Sequence, residues 1–175
     1  MIKTIILLLT LFAGVLISGC NKESSTPSNA EVEFYLLASF DQKANTCKII
    51  DSTAVICDSA LITYDEILSY NKRSNSFKVS NRVATWLNDF KHNRIHGRAF
   101  ALTIDKEIIY TGYFWAGFSS AMCDWLVIDP LDYSGRHELK VKLGYPGLVE
   151  GDVIPDKRND KRLLDILRMD NKLIE

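Results

Sequence analysis

Several groups of residues in this sequence are of types, and at spacings, that could do chemistry. Gly117-Phe118-Ser119-Ser120-Ala121 follows an apolar stretch and approximates the turn that presents a nucleophilic serine. Asp129 or Asp132 and then His137 follow in the order such hydrolases use. The pattern ends in Ala where that turn carries Gly, and its members fall within 19 residues, where separate strands normally supply them. A small-residue turn between strands accounts for the same residues. Cys123 and His137 could instead pair as thiol nucleophile and base. Asp124, next in the chain, would push that thiol's pKa up, which opposes activation. His92 and His96 stand four apart, as metal ligands on a helix can. The intervening Asn93-Arg94-Ile95 brings a positive charge and no zincin glutamate, and no Cys pair completes a tetrahedral set, so neither a metal nor another cofactor is expected. Lys157, Arg158, Lys161 and Arg162 crowd the start of the last amphipathic segment, where cations oppose a helix dipole unless an anion sits at its N-terminus. Asp156 and Asp160 among them could neutralise the cluster without any ligand.

The elements that must position these groups are mostly strands. Val32 to Phe40 is apolar and aromatic, as a buried strand is. Thr63-Tyr64-Asp65-Glu66 has capping-box spacing. Ile67 to Tyr70 and Ser76 to Val79 flank a polar turn and predict a hairpin. Ser80 is placed as an N-cap, and Val83, Leu87 and Phe90 recur at helical spacing, which predicts an amphipathic helix over about 80–93. A second hairpin runs from Arg98 to Ile104, turns at Asp105-Lys106 and returns from Glu107 to Trp115. Further strands are expected at Trp125 to Ile128 and His137 to Leu143, and a C-terminal helix over about 160–173. Strands dominate and helices do not alternate with them, so the expected fold is α+β: a mostly antiparallel sheet covered by the two helices. Six large aromatics lie between Tyr110 and Trp125. Alternation sends Tyr110 and Phe114 to one face and Tyr113 and Trp115 to the other. A two-layer domain buries one face, which makes Tyr113 and Trp115 the expected ligand or partner surface unless the C-terminal helix or a loop covers them.

The N-terminus carries a different chemistry. Lys3 precedes an uncharged run from Thr4 to Ile17, shorter than the roughly 20 apolar residues of a spanning helix. It reads as the apolar part of a secretory signal. The run ends at Ile17-Ser18-Gly19-Cys20, which resembles the lipobox of bacterial lipoproteins: a branched apolar residue, two small residues, then the Cys whose thiol takes diacylglycerol. The resemblance implies cleavage after Gly19, lipid on Cys20, and a bilayer held through that residue, since several acyl chains anchor stably where one is marginal. With Asn21 rather than Asp after the Cys, it implies sorting to the outer membrane of the cell envelope. Residues 20–30, polar and with Pro27, read as a flexible tether, and 31–175 as a single domain. Without residues 1–19 the formal charge is −2, and a near-neutral domain has no electrostatic case for nucleic acid. The envelope permits disulfides. Cys47 and Cys57 flank Asp51-Ser52-Thr53, a candidate hairpin turn, and are the expected pair, which leaves Cys123 as a small buried residue.

Residues 61–112 resemble part of the periplasmic head domain of the SecD export subunit. The features are the short strand at Ile67, the Phe77 strand running into the Ser80 helix, and the hairpin Ala99 to Ile109, with Lys106 where an Asp-Gly turn is usual. The resemblance implies a non-catalytic α+β module that contacts other chains, and it carries over no functional residue. Together these readings give a membrane-anchored envelope lipoprotein acting as a binding module for an envelope protein or glycan. The alternative is a small cell-wall hydrolase using Cys123 or Ser119 with His137.

Overall fold

The computed structural model describes residues 28–89, 96–131, 135–148, 151 and 153–175. The leader, the lipobox and tether residues 20–27 lie outside the described residues, as do His92, Asp132 and the predicted end of the first helix. In chain order the strands are β1 (Val32–Ser39), β2 (Val55–Ile56), β3 (Ile67–Asn71), β4 (Ser76–Val79), β5 (Ala99–Ile104), β6 (Glu107–Phe114), β7 (Cys123–Ile128), β8 (Glu138–Tyr145) and β9 (Leu173–Ile174). They form a sheet in the order β2-β1-β5-β6-β7-β8-β4-β3-β9. The pairings are antiparallel except β6 with β7 and β3 with β9. Among the described residues, two helices, α1 (Asn81–Asn88) and α2 (Lys161–Met169), complete an α+β fold.

The sheet curls on itself. The Phe34 amide in β1 donates to the Ile62 carbonyl just ahead of β3. The Phe34 ring meets Phe77 of β4 edge-on, with centroids 5.1 Å apart, and Phe100 of β5 at 5.7 Å. Tyr70, Tyr110, Phe114 and Val141 are buried in the same core, with Val83 and Leu87 from α1 and Leu163 and Leu167 from α2. Alternation predicts such a core, because each of these strand residues points to the concave side. A fully buried aromatic of this kind contributes about 2–3 kcal/mol.

Local signals in the sequence are realised in detail. The Ser80 hydroxyl accepts from the Val83 amide, as the N-cap reading requires. Thr63 and Glu66 form a reciprocal capping box on a short 3-10 turn. The Glu66 carboxylate also receives paired donation from Arg82 of α1. One carboxylate thus ties the start of β3 to the start of the helix. The tight turn at Asp105-Lys106 has φ of 49° and 67°, the left-handed conformation of a primed hairpin turn. Lys106 holds it without glycine because Glu31 exchanges two hydrogen bonds with Asp105, one to its side chain and one from its backbone amide, each 2.9 Å.

Two expectations change. The C-terminal helix stops at Met169, and Leu173–Ile174 leave it to form a strand parallel to β3. The Lys172 amide, bonded to the Leu167 carbonyl, closes the helix, with Asn171 at φ 57° making the bend. Residues on either side of Asp51-Ser52-Thr53 do not pair as a hairpin. That segment is a 3-10 turn; Ile49 bridges back to Gln42, and β2 pairs with β1.

Gly112 marks the closest approach inside the sheet. A Cβ there would fall 2.7 Å from Phe100 Cζ and 2.8 Å from the Leu126 carbonyl oxygen, and the latter is backbone that cannot swing away. Gly112→Ala is expected to lower stability by about 1–3 kcal/mol in urea unfolding. Gly147→Ala, where a Cβ meets nothing within 4 Å, is the control expected to change little. A pH dependence follows from Glu66, whose carboxyl is held below its usual range mainly by the Arg82 side chain. A depressed carboxylate stabilises above its unfolded pKa of about 4.3 and loses that contribution as pH falls through the folded value. Glu66→Gln should therefore cost about 1 kcal/mol at neutral pH. Denaturation curves of wild type and variant should converge in strong acid.

Candidate functional site

β6 is buried on both faces, and this places the candidate site. Tyr110, Gly112 and Phe114 face the main core, while Thr111 and Tyr113 face the other way, beside Trp125 and Val127 of β7. The segment from Phe40 to Thr53 lies over this second face. Phe40 packs edge-on against Tyr113 at 6.0 Å, and Ile49 is buried. Gln42 Nε2 donates to the Tyr113 hydroxyl at 2.7 Å. The Cys47 amide donates to Asp124 Oδ1 at 2.6 Å, and Lys48 Nζ lies 3.7 Å from Asp124 Oδ2. Deeper in, Trp125 Nε1 donates to Thr111 Oγ1 at 3.1 Å, Thr111 donates to Asp51 Oδ1 at 2.7 Å, and Asp51 Oδ2 pairs with Lys157 at 3.0 Å. Each buried polar atom in that relay is satisfied by the next, which is what allows a polar threonine in a closed layer.

Tyr113 is accordingly not an open recognition residue. It is 5% exposed, and burial pushes its hydroxyl up to about 12. Trp115 is half-buried, 4.9 Å from the His96 ring and 6.3 Å from Tyr113, with its Nε1 donating to the Ala121 carbonyl. The expectation of an exposed aromatic face is corrected, because a loop supplies the second cover that a two-layer domain lacks. What this region does expose is a cleft of about 730 Å³ at the edge of the covering loop, lined by residues 42–47 with Met122 and Asp124. Met122 is exposed there, and Phe118 stands out from the neighbouring turn.

The hydrolase candidates are not brought together. Cys123 is the register partner of Tyr145, at one end of β8, while His137 precedes the other end and gives its carbonyl to the Val79 amide. At about 3.3 Å per residue, the intervening strand separates Cys123 and His137 by roughly 25 Å. Burial pushes the Cys123 thiol far up, the reverse of an activated nucleophile. Ser119 Oγ accepts from the Ala121 amide at 3.2 Å within its own turn, and the Tyr145 hydroxyl, donating to the Gly117 and Ser119 carbonyls, holds that turn near the far end of β8. Asp129 accepts from the Gly117 and Leu131 amides, and burial raises its carboxyl. The glycine in the motif is needed for this cap, since a Cβ at Gly117 would lie 2.5 Å from Asp129 Oδ2.

The remaining candidates among the described residues resolve into local structure. His96 Nδ1 accepts from the Ala116 amide at 3.0 Å. Among the described residues, no group of three or more His, Cys, Asp or Glu could hold a metal. The four cations before and within α2 each meet a carboxylate: Lys157 with Asp51, Arg158 with Asp156, Lys161 with Asp165, and Arg162 with Glu107 and Asp160. Asp160 also caps the helix by accepting from the Arg162 amide. The charge that suggested an anion site is answered within the protein, so an incoming anion would have to displace these carboxylates. No disulfide links Cys47, Cys57 and Cys123. The expected Cys47–Cys57 pair is separated by the sheet: Cys57 bonds the Leu36 carbonyl of β1, while Cys47 bonds Asp124 of β7, with β5 and β6 between. Gln42, Asp51 and Asp124, which fasten the cover, carry no local sequence signal, because their partners lie 60 or more residues away.

Compared with known proteins, the chain matches no family, no curated protein and no solved structure. If Thr111 and Tyr113 hold the cover as described, Thr111→Val should cost about 1–3 kcal/mol, by stranding the Trp125 N–H and the Asp51 carboxylate. Tyr113→Ala should cost about 3–5 kcal/mol. Melting temperatures of both variants check this, and an unchanged melt for Tyr113→Ala would reopen the exposed-surface reading.

Proposed function

We propose that this protein is a lipid-anchored lipoprotein of the bacterial cell envelope whose folded domain is a binding module rather than a hydrolase. The observation that carries the reading is Ile17-Ser18-Gly19-Cys20 behind a charged and then apolar leader. Acylated Cys20 holds the bilayer, and Asn21 directs the protein to the outer membrane. The tether ends where Ser28 donates its amide to Asp170, beyond which the chain enters β1. A module reading is supported by the separation of Cys123 and Ser119 from His137, which removes the geometric basis of the hydrolase alternative. The resemblance of residues 61–112 to an export-subunit head domain points the same way, toward contact with other chains.

With Tyr113 buried and Trp115 half-buried against His96, recognition falls to the cleft between the covering loop and Met122. Gln42, Lys43, Asn45, Thr46 and Asp124 offer donors and acceptors there beside the apolar Ala44 and Met122. Such a lining suits an envelope protein segment or a glycan, where a few placed polar groups give orientation. Cys20→Ala is expected to abolish incorporation of labelled fatty acid and to release the protein from the membrane fraction. Equal incorporation in wild type and variant would overturn the anchoring reading.

A further inference from the structure

We propose that Cys47 and Cys123 are a disulfide-forming pair that covalently staples the covering loop to the sheet. Two contacts bring their segments together. The Cys47 amide is 2.6 Å from the carboxylate of Asp124, and its Sγ is 3.9 Å from the carbonyl of Met122, so Cys47 is bracketed by the two chain neighbours of Cys123. The proximity of Cys47 adds to burial in holding the Cys123 thiol up. Asp124 fixes the approach, since it holds both the Cys47 amide and the Lys48 ammonium. Cys57 is excluded because it sits across β5 and β6, on the β1 edge.

The two thiols differ in a way that orders the chemistry. Cys47 is half-buried and lines the cleft, whereas Cys123 is 2% exposed and its thiol is pushed up by burial. Cys47 is the sulfur that meets an external disulfide, such as oxidised glutathione or a thiol–disulfide oxidoreductase. It loses its proton, attacks that disulfide and releases one thiol. Cys123 then loses its proton, attacks Cys47 Sγ in the mixed disulfide and releases the second thiol. Two thiols of this protein are thereby oxidised by two electrons, one S–S bond forms, and the oxidant leaves as two thiols. The inference needs only such an oxidant and stands apart from the anchoring reading. Its effect is to close a loop of about 75 residues around the site where the second face is covered, and long loops gain most from such a link.

The test uses the full chain in detergent, held reduced or equilibrated with oxidised glutathione, followed by non-reducing peptide mapping and thermal melts. A Cys47–Cys123 peptide is expected, with a melting temperature about 10 °C above the reduced form. Cys57→Ala should keep both results and Cys47→Ala should lose both. A link that includes Cys57, or no intramolecular link in the folded protein, would overturn the pairing. A Cys47–Cys123 link with no rise in melting temperature would overturn the stapling role.

Discussion

Thr111 receives the indole N–H of Trp125 and gives its own proton to Asp51, and through that relay the second face of the sheet is closed. The constraint behind it is elementary. A strand in the middle of a curled sheet presents two faces, and here the two helices lend core residues to the concave one. The other face carries Tyr113, Trp125 and Val127, too much apolar surface to leave wet. An irregular loop can cover it only if its own polar backbone and side chains find partners. Gln42, Asp51 and Asp124 arrange those partners, and Lys157 extends the network to the segment ahead of α2.

The same economy explains the charged residues. Glu66, although buried, joins the 3-10 turn to α1 because Arg82 and the capping-box threonine satisfy it. The cations at the start of α2 are matched by Asp51, Asp156, Asp165 and Glu107. Exposed pairs of this kind contribute little individually. Their consequence is geometric: Lys157 on Asp51 ties the segment before α2 to the loop that covers β6, and Arg158 reaches the Val141 carbonyl of β8. With the basic cluster paired to carboxylates, Met122 remains open at the cleft beside the loop edge.

Periodicity and capping rules placed most of the elements, because these are local physics, whereas β2 and β9 are short strands set by distant partners. A continuous apolar run located β1, alternation located β8, and Ser80, Thr63 and the Asp105-Lys106 turn marked boundaries that depend on atoms within a few residues. The lipobox likewise is a contiguous signal, read without reference to any fold. From these residues alone come the α+β class, the hairpins and the expectation of anchoring.

Tertiary structure decided which residues meet. Cys47 is ten positions from Cys57 and 76 from Cys123, yet it is the neighbours of Cys123 that it contacts, because the chain between runs through β2, β3, β4, α1, β5 and β6 before β7 returns beneath the loop. Cys123 and His137 are near in sequence and far apart in space, because an extended strand is the most efficient way a chain has of separating its ends. Whether Tyr113 faced water or protein could not follow from alternation, which assigns a side of the sheet and says nothing of what lies over it. Sequence spacing determines direction along an element; the covering of a face depends on a distant segment, and only the folded chain brings that segment to it.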